Sequence, residues 1–435
     1  MKVMKLALLG TAALAAVSVS ARADDLSALK AQIEALQADV AALQAAPAVP
    51  AGYSLMTVSE GDRIVVPGLE VRDSNAVSKQ VTTIGVLPTA DVPASTVIQW
   101  SGSVRAALAY SDFDSTSDGL DDDELHIKAR GRLDVTGTTD TAVGEVGASM
   151  SIYADFDNTN KYNTSTDDFA SVLSTGFTSN SGTVRMDYAW GWWKMTPELT
   201  FAGGYNGSLA TIGYGMRKIN DAYISRGSVG VDGGDFTQMR LSYASGPIGI
   251  AIALEHTDEG SNNTRSGETI KGSPLGVAGE LTYSGDVFNA EIAGFIRDVD
   301  FYGSKYTQSQ IGLGLGAKLS DMFDVSMAAS YGNNVFHNPG SGEFVEIGDG
   351  WEISGAVVAS LSDAVSAEVG VGYSNYDAED GDGHAKTMAV AGGIYWSPVS
   401  QLKTGIQASY VDVNANDAAN DAEQLKAAFV TWWNF

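Results

Sequence analysis

From Val97 to Phe435 the chain alternates with period two, and no other feature limits its fold as strongly. In Trp100, Gly102, Val104, Ala106, Leu108 and Tyr110 every second residue is apolar or small, with Ser101, Ser103 and Arg105 between them. Such a run reads as a strand with one greasy and one wet face. Sixteen runs of this kind follow one another, the last being Leu425–Phe435. Short connectors such as Thr196–Glu198, Ser245–Pro247 and Ser362–Ala364 alternate with longer ones rich in Asp, Asn, Ser and Gly. Short turns on one rim and long loops on the other suit a membrane barrel, whereas a soluble sandwich has no reason to sort its loops by length. The 339 residues of this region leave about 21 for each strand with its connector, enough for membrane strands of roughly 10 residues. The expected fold class is all-β, a 16-stranded antiparallel transmembrane β-barrel preceded by a short α-helical coiled coil.

The chain ahead of the barrel divides into three parts. Residues 1–23 read as a secretory signal peptide: Lys2 and Lys5 open it, Leu6–Val17 is apolar, and Ala21-Arg22-Ala23 offers small residues for cleavage. That apolar run is too short to cross a bilayer as a helix. Removing this segment and its three cations takes the formal charge from −27 to about −30, which argues against a nucleic-acid partner. The exported chain has no Cys, so pairing and packing must hold it together without disulfides. Residues 24–46 follow a heptad, with Leu26, Ile33 and Val40 on one seam position and Leu29, Leu36 and Leu43 on the other. A lone helix of this length is marginal, so the seam implies partner chains, two or three by its residue types. Pro47 and Pro50 end the helix. Residues 47–96 mix short strand-like patches with turns and prolines and read as a periplasmic neck or linker.

Within the barrel region 97–435, parity assigns side chains to faces. If Leu125, Ile127, Leu133 and Val135 meet lipid, then His126, Lys128, Arg130 and Arg132 point inward together. Arg105, Arg185, Arg240 and Arg297 share inward parity on their own strands. Aromatics gather near strand ends, among them Tyr110, Trp190, Trp192, Trp193, Tyr331, Trp396, Trp432 and Trp433, as interfacial girdles require. The third long connector, 206–236, carries Arg217, Lys218, Asp221, Arg226, Asp232 and Asp235. Its apolar residues, including Leu209, Ile212, Met216, Ile219 and Ile224, suit a loop folded against a wall.

The last strand places Phe429, Thr431, Trp433 and Phe435 at alternate positions, ending the chain on Phe. This ending resembles the recognition signal of bacterial outer-membrane proteins. With sixteen strands and a long third loop, residues 97–435 resemble the general trimeric porins of Gram-negative bacteria, and 24–46 resembles the coiled coil that a proteobacterial subset carries. The resemblance implies a homotrimer in the outer membrane, in contact with lipid and lipopolysaccharide. It also implies a water-filled channel for passive diffusion of ions and small hydrophilic solutes, with the coiled coil in the periplasm. In the resembling porins a basic ladder on the wall faces acids of the third loop, and the field between them orients dipolar solutes. The Pro-Glu-Phe-Gly-Gly motif of enterobacterial members is absent, and Gly233-Gly234-Asp235-Phe236 is a loose echo of it.

Other classes fit less well. Catalysis would need a His beside a nucleophile, yet only His126, His256, His337 and His384 exist, and no Gly-x-Ser-x-Gly elbow, metal cluster or phosphate loop accompanies them. No cofactor or metal site is expected. The acid-rich stretches Asp112–Asp123 and Asp377–Asp382 read as solvated loop charge, with loosely held divalent cations as the alternative. A substrate-selective porin for sugars or anions and a purely structural envelope tether stay open. So does the sign of the ion selectivity.

Overall fold

The computed structural model describes residues 55–69, 80–86, 95–115, 120–157, 184–220, 222–226, 233–257, 271–272, 275–301, 304–337, 346–378, 384–415 and 421–435. The heptad seam, Leu26 to Leu43, and the signal segment lie outside the described residues. Met56–Phe435 forms one unit, and its strands run in chain order around a single sheet.

A hairpin comes first, β1 (Met56–Asp62) paired antiparallel with β2 (Gln80–Val86). The wall then begins with β3 (Thr96–Ser115), β4 (Leu120–Thr141), β5 (Gly144–Asp157), β6 (Val184–Lys194) and β7 (Leu199–Gly207). It continues through β8 (Asp235–Ser245) and β9 (Ile248–His256). The two-residue β10 (Lys271–Gly272) pairs with β12 beyond the start of β11. Next come β11 (Gly276–Ser284), β12 (Phe288–Phe301), β13 (Ser304–Lys318), β14 (Phe323–His337) and β15 (Glu346–Ser362). Strands β16 (Val365–Ala378), β17 (His384–Val399), β18 (Leu402–Ala415) and β19 (Ala422–Asn434) complete it.

Each wall strand pairs antiparallel with its neighbours, β11 with β9, and β19 returns to β3 over Ala422–Asn434 against Ser103–Ser115. Sixteen strands, β3 to β9 and β11 to β19, thus close a ring, as the alternation requires. Closure removes the free edges of the sheet, which is what lets strands cross a membrane. The terminal Phe435 finishes the seam by exchanging both backbone hydrogen bonds with Gly102 at 3.0 Å. Short links such as Ala142–Val143 and Gly246–Pro247 lie on the rim that carries both ends of the wall. Longer connectors lie on the other rim, except that residues 116–119 join β3 to β4 and residues 302–303 join β12 to β13.

The apolar residues face outward. Leu125 and Ile127 are 66% exposed, and Ile250, Ile311, Val371, Ile394 and Phe429 follow the same pattern on their strands. This outer surface would drive aggregation in water and is the natural surface against lipid. Trp193, Tyr331, Trp351, Trp396 and Trp433 are also outward, as girdle residues should be. Trp190, Trp192 and Trp432 are not, being 2%, 3% and 1% exposed inside the barrel. Adjacent tryptophans cannot share a face on a pleated strand, so Trp192 and Trp432 turn inward while Trp193 and Trp433 turn outward. On β6 a register shift opposite Ser151 and Ile152 also moves the inward set from Arg185 to Tyr188, Trp190 and Trp192.

Part of the 47–96 stretch expected to be a neck belongs to the barrel interior. β2 pairs with Thr96–Trp100 of β3, just past the point where β19 ends, and Asp62–Leu69 continues along lumen-facing side chains. The Ile64 N–H donates to Gln99 Oε1 at 2.6 Å, Arg63 lies 3.9 Å from Asp134, and Val66 and Leu69 pack on Tyr188, Trp190 and Trp192.

Candidate permeation pathway

The loop between β7 and β8 enters the barrel. A backbone segment lying against a wall must find acceptors for its N–H groups, since no sheet partner supplies them. The wall provides them from strand to strand. Leu209 N–H donates to Glu255 Oε1 on β9 at 3.3 Å, Gly215 N–H to Ser326 Oγ on β14 at 2.7 Å and Met216 N–H to Ser354 Oγ on β15 at 3.2 Å. Asn220 N–H donates to Glu368 Oε1 on β16 at 2.6 Å, and its carbonyl accepts from Gln407 Nε2 on β18 at 2.9 Å. Ser225 N–H reaches Ser409 Oγ at 2.9 Å, and Tyr223 then meets Arg105 on β3.

Small wall residues make room for the loop's apolar side chains. Ile212 packs on Ala293 and Ala328, while Met216, Ile219 and Ile224 pack on Ala356, Ala389 and Ala391. Ile212 and Met216 are fully buried where this segment lies along the wall. The loop tightens into a 3₁₀ turn at Gly215–Lys218, which places Arg217 and Lys218 side by side. Lys218 is exposed and stands over the Tyr214 ring at 4.9 Å, and Arg226 is half-buried near the far end. Asp221 and Asp232 lie outside the described residues. Asp235 begins β8 on the exposed, outward parity shared with Thr237 and Met239, so it does not face the pathway as expected.

The opposite stretch of wall is basic. Arg105, His126, Lys128, Arg130 and Arg132 lie on the inward faces of β3 and β4, with Arg105 directly across from Arg130 in the register. The acids that answer this ladder sit on the wall itself, which departs from the expected ladder facing the loop. Arg130 grips Asp155 in a two-pronged pair, Nη2 to Oδ2 at 2.7 Å, and lies over the Tyr153 ring at 4.3 Å. Arg132 bonds Asp134 through Nε at 3.1 Å and approaches Asp187 through Nη2 at 3.1 Å. His126 lies 3.7 Å from Glu124. Arg185 is half-buried at the inward parity of β6. Parity alone could have added two lysines: Lys426 faces inward on β19, and Lys403 on β18 packs against Tyr395 and Trp432 at 4.1 and 5.5 Å.

Arg240 has inward parity but is not an open wall cation. It is 5% exposed and donates to Gly68 O and Gly207 O at 2.8 and 2.9 Å and to Gln238 Oε1, with Trp190 beneath it at 5.2 Å. Arg297 is likewise enclosed, donating to Gln308 Oε1 at 2.9 Å between the Phe236 and Phe295 rings. A guanidinium taken out of water is held only where several acceptors meet it, and both sites supply them. Nothing in the alternation distinguishes these two arginines from Arg130. Their covers come from distant parts of the chain.

The closed sheet is similar in fold to known outer-membrane channels. Among solved structures, the outer-membrane channel DcaP of Acinetobacter baumannii is similar with a TM-score of 0.57 and 16% identity, covering 78% of this chain and 97% of that one. OmpF of Salmonella typhi has a TM-score of 0.54 at 12% identity, with 78% and 98% covered. The anion-selective porin of Comamonas acidovorans has 0.51 at 12% identity, with 78% and 100% covered. No curated protein sequence matches the chain. A family model described as the porin subfamily matches residues 92–431. The chain belongs to this porin family, and its barrel is an outer-membrane channel for passive diffusion of solutes.

Proposed function

We propose that the channel is a general porin that favours small hydrophilic anions. The carrying observation is the charge on either side of the pathway. Arg105, Lys128, Arg130 and Arg132 line one side, and Arg217, Lys218 and Arg226 come from the loop. Of the carboxylates on this stretch, Asp134, Asp155 and Asp187 each sit beside an arginine, and Glu124 lies beside His126. On the far wall Glu255 and Glu368 accept loop N–H groups. Excess positive charge in a narrow aqueous gap lowers the barrier for anions and raises it for cations. The fold it shares with an anion-selective porin is consistent with this reading, although the lining charges carry it.

Among the described residues, the inward tryptophans do not form a slide for sugars. Trp190, Trp192 and Trp432 face inward but are almost fully covered, so a passing solute cannot stack on them. We assign the heptad seam Leu26, Leu29, Ile33, Leu36, Val40 and Leu43 to a periplasmic coiled coil that ties three barrels together, with the outer surface against lipid and lipopolysaccharide. Reversal potential of the purified protein in a planar bilayer under a KCl gradient tests the selectivity. A potential of the sign set by chloride is expected, and one set by potassium would discard the reading. Current steps in groups of three, lost when the heptad is deleted, test the assembly.

A further inference from the structure

We propose that Arg63–Leu69 narrows the lumen alongside the inward loop, pinned there by Arg240 of β8, which also holds the carbonyl of Gly207 at the root of that loop. The inference does not depend on which ion the pore favours. It rests on the way this strap fills the interior between β3 and β8. Gln99 of β3 holds its start, accepting from Ile64 N–H at 2.6 Å and donating to the Asp62 carbonyl at 2.8 Å. Trp190 Nε1 of β6 donates to the Pro67 carbonyl at 2.8 Å, and Val66 and Leu69 cover the Tyr188, Trp190 and Trp192 rings. At its far end the Gly68 carbonyl accepts from both Arg240 Nη1 and Asn206 Nδ2, each at 2.8 Å.

Of these two donors, Asn206 stands at the root of the loop, and Arg240 reaches that root from the middle of β8, opposite Ala202. Asn206 and Gly207 are the last residues of β7 before the loop, and Arg240 Nη2 also donates to the Gly207 carbonyl. Gln238 Nε2 donates to the carbonyls of both Asn206 and Gly207 at 2.9 Å. One enclosed guanidinium therefore ties the strap and the loop root together. Without the strap, Arg240 would lose an acceptor and three large rings would be bared to water, so the inserted position is the stable one. Gly68 is shaped for the contact: its φ is +71°, and a Cβ there would stand 2.9 Å from Arg240 Nη1. Between these anchors Val65 is 84% exposed, so its side chain is not packed against the wall and is open to labelling.

The test uses the full-length porin carrying Val65→Cys, since the natural chain has no cysteine to interfere. Single-channel current in a planar bilayer is read before and after an uncharged, bulky maleimide, so that the readout is size and not charge. Labelling should remove about half of the current, as expected when a group is added at a narrow point of a pore. The unsubstituted protein should not respond. In an Arg240→Gln background the strap loses its pin, the unlabelled current should rise about 1.5-fold and the block should weaken. A thiol that labels fully with no change in current, or that never reacts in the folded trimer, overturns the constriction. Equal block with and without Arg240→Gln overturns the pinning role.

Discussion

From β3 to β6 the inner wall presents arginine, lysine and tyrosine, whereas from β12 to β18 it presents alanine, serine and glutamate. Both stretches are built on the same alternation, and both turn leucine and isoleucine outward. The difference lies in what each faces. Long cations with wall-borne acids stand where water runs, and short side chains with acceptors stand where a second layer of backbone lies. Ala293, Ala328, Ala356 and Ala389 leave a trough for Ile212, Met216 and Ile219, and Ser326, Ser354 and Glu368 complete the hydrogen bonds of the loop. An inward small residue is therefore as informative as an inward charge, because it marks where the lumen is already filled.

If this division is right, changes on the covered side should act on stability and changes on the open side on transport. The largest stability effect belongs to Gly314→Leu on β13. Even a Cβ at this position would stand 2.3 Å from the Tyr214 ring and 2.8 Å from Ile212, so a full side chain must push the loop off the wall. A loss of about 3 kcal/mol is expected from overpacking, seen as a lower temperature for conversion of the folded band on a gel. Unchanged heat resistance would mean that the loop does not lie there. Glu368→Gln should come next. It keeps the shape but weakens acceptance from Asn220 N–H and from Tyr395 OH, which is 2.7 Å away, and should cost about 2 kcal/mol in the same assay.

On the open side, Arg130→Ser with Arg132→Ser should lower stability by less than about 1 kcal/mol, because these pairs are partly solvated. The same double change should bring the reversal potential close to zero. If conductance and selectivity both stay as they were, the basic wall does not line the pathway. The smallest stability effect is that of salt. Raising it from 0.1 to 1 M shortens the screening length from about 10 to about 3 Å, so anion preference should shrink while heat resistance stays constant. A matched loss of both would erase the distinction between the two walls.

Much of the barrel is legible in the sequence. Sixteen alternating runs, their connectors and the closing Phe435 follow from period two and from the need to satisfy every backbone group in lipid. The inward set Arg105, His126, Lys128, Arg130 and Arg132 followed from the same parity. Trp190 was misplaced because the register shift opposite Ser151 changes parity within β6, and a bulge of one residue leaves no mark on composition. Trp432 was misplaced because two tryptophans stand side by side and only one can reach the interface. The acids Glu255 and Glu368 could have been flagged, since each has inward parity on a strand otherwise poor in charge.

The sequence by itself settled which residues form strands and which side of each strand is greasy, because both depend on neighbours one and two positions away. Only the tertiary structure decided which inward residues meet water. Arg240 and Arg130 look alike along the chain, yet Gly68 and Gly207 enclose the first while Asp155 and Tyr153 hold the second beside the pathway. Those partners are set by where the strap and the loop come to rest. That placement depends on contacts between segments more than a hundred residues apart, which no local period encodes.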